Sequence, residues 1–260
     1  MNTNRSGTQL TSRDRHELLK EAGRLLPAPA RRLFLRRGVT VGGLAMLTGC
    51  SVTDSKSAES VLMSISRFND RVQAWLFDPS RLAPTYPESM ITRPFPFNAF
   101  YGIEDAPSVE AAGFRLRVGG LVRQSQSWTL EQLAALPQQE QVTRHICVEG
   151  WSAIGKWGGV SFAHFLNLVG ADLGAKYVGF NCADNYFNSI DMPTALHPQT
   201  ILALTYDGRT LPRQYGFPMK LRMPTKLGYK NPKHILEIFV TNNYPGGYWE
   251  DQGYNWFGGS

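Results

Sequence analysis

The chain has 260 residues, of which 27 are basic and 21 acidic, a formal charge of +6. Nine of the basic and three of the acidic residues precede Cys50, so the chain beyond it is neutral, with 18 of each sign. The excess charge belongs to the amino-terminal segment, and a nucleic-acid-binding face loses its main support.

That segment reads first as targeting. Residues 31–50, RRLFLRRGVTVGGLAMLTGC, combine paired arginines, an apolar Gly-rich run and a terminal cysteine. The run from Val39 to Leu47 is shorter than the roughly 20 residues a membrane-spanning helix needs, and its glycines weaken a helix further. Arg31-Arg32 before Phe34-Leu35 resembles the twin-arginine export signal, and Leu47-Thr48-Gly49-Cys50 resembles a lipoprotein cleavage box. These resemblances imply export of a folded passenger to the periplasmic side and a lipid anchor on Cys50. Residues 1–50 are thus expected to be a signal, 51–60 (SVTDSKSAES) a flexible tether and 61–260 the folded domain.

Val61, Ile65, Phe68, Val72 and Trp75 recur at three- and four-residue steps, which predicts an amphipathic helix limited by Pro79. Residues 79–113 are rich in prolines and aromatics without a period and read as a long irregular segment on the domain surface or in a pocket. Phe114–Val118 alternates like a half-buried strand, and Thr129 with Gln132 forms a capping-box start to a short helix. Further strands are expected at 141–147, 176–182, 201–206, 219–223 and 235–241, with a second short helix opened by Ser161 and running through Leu168. The tail YPGGYWEDQGYNWFGG has no periodicity. The fold class is therefore α+β, a single mixed domain of about 200 residues.

Residues 144–157, RHICVEGWSAIGKW, crowd Cys147, Glu149, two cations, a histidine and two tryptophans into a strand end and what reads as the loop after it. A thiolate suits a soft or borderline metal and needs nearby positive charge, which Arg144 is placed in sequence to supply. Cys147 lacks a second Cys or His at zinc spacing, so a lone thiolate fits a metal whose other ligands come from a cofactor. A disulfide between Cys147 and Cys182 is the competing use. His145 reads equally as a satisfied buried histidine or a ligand contact, Trp151 and Trp157 as pocket wall or core, and Asp184-Asn185 as a turn or a substrate contact.

RHICVEGW, with FNAFYG upstream and KLGYKNPKH downstream, resembles the sulfite-oxidase superfamily over roughly Ile91 to Asn242, and within it the periplasmic methionine-sulfoxide reductase catalytic subunits. The resemblance implies the molybdopterin-binding fold of that superfamily. It also implies a molybdenum-molybdopterin cofactor in the form without an appended nucleotide, with Cys147 as the metal ligand. Carried over residue by residue, Asn98, Tyr101, Gly102, Cys182, Tyr215, Lys220, Asn231, Pro232 and Lys233 fall on pterin contacts, the two lysines suiting a phosphate. Cys182, Tyr215 and Lys220 stand where the reductases carry threonine, asparagine and arginine. Val148-Glu149-Gly150-Trp151 after the cysteine matches the reductase-like branch, whereas sulfite oxidases proper place small and arginine-rich residues there. Catalytic roles are then expected for Cys147, Glu149 and Arg144, with Glu149 handling the protons of oxygen-atom transfer, or else serving as a salt-bridged surface group.

The expected activity is reduction of a sulfoxide or N-oxide, small or protein-bound, with electrons from a membrane haem b subunit. Oxidation of sulfite or another small sulfur compound is the alternative, and a non-catalytic lipoprotein that has lost the metal is an alternative of another class. About twenty residues follow the last expected strand, too few for an immunoglobulin-like dimerisation domain, so a monomer is expected.

Overall fold

The computed structural model describes residues 55–260, with side chains from residue 60 onward. The expected export signal, the cysteine expected to carry a lipid and residues 51–54 of the expected tether lie outside the described residues, while residues 55–60, expected as flexible tether, are instead the first turns of a helix. By internal contacts the chain divides into Met1–Val61 and Leu62–Ser260, and the second unit is entered through a helix that begins just before it.

Helix α1, Ser55–Leu76, carries the expected apolar repeat, but the repeat faces outward. Ile65, Phe68 and Trp75 are 53, 59 and 78% exposed. The polar edge is what docks. Asp70 accepts the Phe257 amide at 2.7 Å and Gln73 accepts the Gly259 amide at 3.2 Å, so the helix satisfies backbone donors of the carboxy-terminal segment.

Residues 77–115 form the expected irregular segment, with short 3₁₀ turns at Glu88–Met90 and Ile103–Asp105. Ile91, Phe95 and Ala106 are its buried pins. Thr85 bridges to Thr143, and Thr92 exchanges hydrogen bonds with Ile154, which lays the segment over one of two sheets and carries residues 98–101 to the site.

The first sheet has the order β2-β1-β10-β5-β6. Its strands are β1 (Leu116–Gly120), β2 (Ser127–Trp128), β5 (Tyr177–Cys182), β6 (Phe187–Asp191) and β10 (Ile235–Thr241). β1 and β10 run parallel, and the other pairs in this sheet are antiparallel. The second, antiparallel throughout, runs β3-β4-β7, with β8 and β9 both on β7. It comprises β3 (Gln138–Ile146), β4 (Ser152–Ser161), β7 (Ile201–Tyr206), β8 (Arg209–Thr210) and β9 (Lys220–Arg222). Three short helices fill the connections: α2 (Leu130–Ala134), α3 (Phe162–Leu168) and α4 (Met192–Ala195). The capping box is present: Thr129 Oγ1 accepts the Gln132 amide, and the Gln132 side chain accepts the Thr129 amide.

Residues 152–161 correct the sequence reading. What read as a loop is the long strand β4, paired with β3 over nine residues and with β7 on its other side. Gly155, Gly158 and Gly159 hid it, because glycine disfavours strands unless something comes close. Something does: a Cβ on Gly159 would collide with the Leu202 carbonyl oxygen, and one on Gly158 with Thr205 Oγ1.

The main core lies along the first sheet and α3, built on Leu116, Val160, Phe162, Phe165, Val178, Phe180, Leu221 and Ile238. A smaller aromatic cluster of Phe95, Trp157 and Tyr206, flanked by Tyr215, sits on the second sheet. The site lies at the ends of both.

Candidate active site

Cys147 follows β3 in a four-residue turn. Its amide donates to Trp151 O at 2.9 Å, Gly150 N donates to Cys147 O at 3.2 Å, and Gly150 takes φ +93°, a backbone conformation that glycine adopts without a Cβ penalty. The turn folds Glu149 back over the cysteine. The thiol donates to Glu149 Oε2 at 3.6 Å, and the same oxygen accepts Trp151 Nε1–H at 2.8 Å. Burial pushes the Cys147 thiol above its ordinary range, and the Glu149 carboxylate adds to the shift. Both cysteines, 147 and 182, are free thiols, so they do not pair.

Arg144 does not supply the charge expected of it. In β3 the residues Gln141, Thr143 and His145 point inward, so Arg144, at odd offset from them, points outward. Its guanidinium lies 5.2 Å from the centre of the Tyr86 ring, on the far side of the strand from Cys147.

Cys147 opens onto a pocket with a cavity volume of about 120 Å³. Of the residues expected from sequence, Asn98, Glu149, Asn231, Pro232 and Lys233 line it with Cys147. Asp184 joins them, and Asn185 beside it holds φ +60°, so this dipeptide is both the turn and the wall. Tyr101 stands one step behind, donating its hydroxyl to Asp184 Oδ2 at 2.9 Å. Cys182 is buried, with its thiol held well above the ordinary range by desolvation and then by the Asp184 charge.

Gly102 and Tyr215 are not in the wall. Gly102 precedes the turn Ile103–Asp105, and a Cβ there would meet the Glu104 carboxylate. The Tyr215 hydroxyl donates to Phe95 O at 2.8 Å inside the aromatic cluster. Phe100, Tyr186, Tyr229, Trp249 and Tyr254 complete the pocket, and none was singled out from sequence. The only available signal for the last two was the aromatic carboxy-terminal tail, which has no period to assign.

Behind the pocket lies a concentration of buried positive charge. Lys220, Arg222 and Lys233 are 1, 0 and 8% exposed, and none forms an ion pair with a carboxylate among the described residues. Lys220 Nζ lies 4.9 Å from the Trp157 ring centre, and Lys233 Nζ donates to the Asn98 carbonyl at 2.7 Å. Burial pushes Lys233 down to about 8 and Arg222 down to about 9, and holds Lys220 well below the usual lysine range. Four buried nitrogens in the same region have no hydrogen-bond partner: His145 Nδ1, Trp157 Nε1, Arg222 Nε and His234 Nε2. His145 is thus a buried, half-satisfied histidine, with its Nε2 3.5 Å from Asn98 Nδ2 and its Nδ1 without a partner. It sits directly behind Gly228, where a Cβ would lie 2.8 Å from its Nε2.

Unpaired buried cations and orphaned polar groups are costly unless a ligand with the complementary charge, acceptors and donors completes them. This set fits a ligand that brings a phosphate and several ring heteroatoms, held by Asn98, Asn231–Lys233 and the cations behind. Among the described residues no three His, Cys, Asp or Glu side chains gather to hold a metal, so a metal on Cys147 would take its other ligands from such a cofactor.

Comparison with known proteins agrees with this chemistry. The family model described as an oxidoreductase molybdopterin-binding domain matches residues 103–249. A protein of Azospira oryzae named "Putative protein-methionine-sulfoxide reductase subunit YedZ1" is 69% identical, over 94% of this chain and 93% of its own. A protein-methionine-sulfoxide reductase catalytic subunit, MsrP, of Xanthomonas axonopodis is 33% identical over 56% of this chain and 50% of its own. In fold, the chain is similar to the sulfane dehydrogenase SoxCD of Paracoccus pantotrophus, with a TM-score of 0.50 at 19% identity, over 53% of this chain and 40% of that one. The chain therefore belongs to the oxidoreductase molybdopterin-binding domain family of the sulfite-oxidase superfamily, in the branch that holds these reductase-named relatives, and is an oxidoreductase.

Proposed function

We propose that this protein is the catalytic subunit of an exported, lipid-tethered sulfoxide reductase that acts on methionine sulfoxide, including sulfoxide borne on other proteins. Its electrons come from a membrane haem b partner. The observation that carries this reading is the Cys147–Glu149–Trp151 turn at the edge of an aromatic-walled pocket backed by unpaired cations. The names of the similar proteins support the substrate class and the subunit organisation. Residues 31–50 support twin-arginine export and lipidation of Cys50.

Cys147 would hold the molybdenum. Asn98, Asn231 and Pro232 would hold the pterin, taken without an appended nucleotide, and Lys233, with Lys220 and Arg222 behind it, would balance its phosphate. When bound, this cofactor supplies a two-electron centre able to take an oxygen atom from the substrate.

Reduction of a sulfoxide to a thioether consumes two electrons and two protons and releases water. The protein's part is the proton side. Glu149 Oε2, steered by the Trp151 indole N–H, is positioned to hold a proton beside the reacting atoms and pass it on. Phe100, Tyr186 and Tyr229 restrict water and offer faces to a methyl thioether.

The test is turnover of the purified holoenzyme with a reduced dye as donor, on methionine sulfoxide, on an oxidised protein and on an N-oxide, beside sulfite with an artificial acceptor. Sulfoxide reduction above the other substrates is expected. Sulfite oxidation without sulfoxide reduction would overturn the reading.

A further inference from the structure

Helix α1 turns its apolar side to solvent. Leu62, Ile65, Phe68, Trp75 and Leu76 are 53–78% exposed, and at 3.6 residues per turn they fall within one arc of about 140°. In the sector beside the Leu62 end of this arc, Asp70, Gln73 and, one residue past the helix, Phe77 fix the helix to the domain, through the amides of Phe257 and Gly259 and the ring of Phe257. Arg67 and Arg71, both exposed, border the apolar arc along one edge. No helix among the described residues is long and apolar enough to cross a membrane, and α1 itself carries Lys56, Glu59, Arg67, Asp70 and Arg71. An apolar arc edged by arginines, on a helix too charged to span, is the arrangement of a helix lying in a membrane interface.

We propose that α1 lies along the surface of an anionic bilayer, its apolar arc in the boundary between headgroups and acyl chains and Arg67 and Arg71 among lipid phosphates. The choice of a bilayer over another protein rests on the reading of Cys50 as lipidated. From Cys50 to Ser55 is five residues, a reach of at most about 18 Å, so a lipid on Cys50 keeps the start of α1 at the headgroups. The helix is then a second membrane contact beside the acyl chains.

The test uses the full chain, loaded with cofactor and carrying Cys50→Ala so that no lipid is attached. Its binding to vesicles of phosphatidylethanolamine and phosphatidylglycerol is compared with that of the same chain carrying Ile65→Ser, Phe68→Ser and Trp75→Ser. Both proteins keep identical residues 1–54, so any difference belongs to α1. The triple substitution is expected to weaken binding by about a hundredfold or more, with cofactor content and turnover unchanged. Arg67→Gln with Arg71→Gln should weaken it about tenfold on anionic vesicles and leave binding to neutral vesicles unaltered. Equal vesicle binding by the parent and the triple variant would overturn the proposal. So would a dimer in sedimentation that the triple variant abolishes, which would assign the arc to a second copy of the chain. Mass spectrometry of Cys50 in the exported wild type tests the lipid separately, so the failure of one reading is distinguishable from the failure of the other.

Discussion

Cys147 and Glu149 sit two residues apart and share one contact, yet their substitutions should read out differently. Serine at 147 offers an oxygen where a soft metal needs sulfur, so Cys147→Ser is expected to abolish turnover and lower bound molybdenum while the melting temperature of the apoprotein stays close to wild type. Glu149→Gln keeps the shape and can still accept the Trp151 N–H, but it no longer exchanges a proton as a carboxylate does. General acid–base groups typically contribute about a hundred- to ten-thousand-fold, so turnover should fall within that range at unchanged molybdenum content. Metal analysis beside steady-state rates across pH separates the two. Equal rates and an unaltered pH profile for Glu149→Gln would return Glu149 to a structural role, that of orienting Trp151. Arg144, by contrast, is expected to be replaceable by Gln with little effect on rate, since it lies over Tyr86 on the outer face of β3.

Strand β4 concentrates what the fold demands of its backbone. At Gly159 an added methyl would meet the Leu202 carbonyl oxygen, which is backbone and cannot swing aside. Gly159→Ala should therefore cost about 3 kcal/mol or more, about 6–12 °C in melting temperature, or fail to fold. Gly113→Ala is the control: nothing lies within 4 Å of its added Cβ, so a change within about 0.5 kcal/mol is expected in the same denaturation series. These glycines also show why the sequence was only partly legible. Strands β7 and β10 were readable because ILALTY and ILEIFVT are apolar runs of strand length, and α2 because its capping box is a local hydrogen-bond pattern. β4 was not, since its glycines answer to neighbours far away in sequence. The repeat in α1 announced a helix but not which side would dock, because the contacts that decide it come from Phe257 and Gly259. In the site, Cys147, Asn98 and the run Asn231–Lys233 were legible through family motifs. Arg144 was misplaced by counting residues without counting strand faces, and the aromatic wall comes from segments with no periodicity.

Across the whole molecule, buried cations set the expected dependence of stability on pH. Lys226 is pushed down to about 7 and Lys233 to about 8, in both cases chiefly by burial, while an unfolded lysine stays near 10.5. His234 is likewise pushed down to about 4 from an unfolded value near 6.5. Between each folded value and its unfolded counterpart the unfolded chain binds more protons, so the stability of the folded form rises with pH. The windows are about 4 to 6.5 for the histidine and about 7 to 10.5 for the two lysines, and the sign is the same in each. The apoprotein is therefore expected to gain melting temperature from pH 6 to pH 9, at about 2–4 °C for each kcal/mol relieved, until other groups limit it. Cofactor loading should change the slope. A phosphate near Lys233 stabilises its charged form and raises its folded value toward the unfolded one, so the holoprotein should melt higher at pH 6 and vary less with pH above 7. Lys226 lies instead against Phe257, with Asp191 3.7 Å away, so its contribution should persist in both forms. Lys226→Met is accordingly expected to raise the melting temperature at pH 6 more than at pH 9, with or without cofactor. Melting curves of apo and loaded protein at pH 6, 7.5 and 9, with Lys226→Met and Lys233→Met, check each part. Identical slopes for apo and loaded wild type would mean that the anion is held at neither Lys233 nor Lys220.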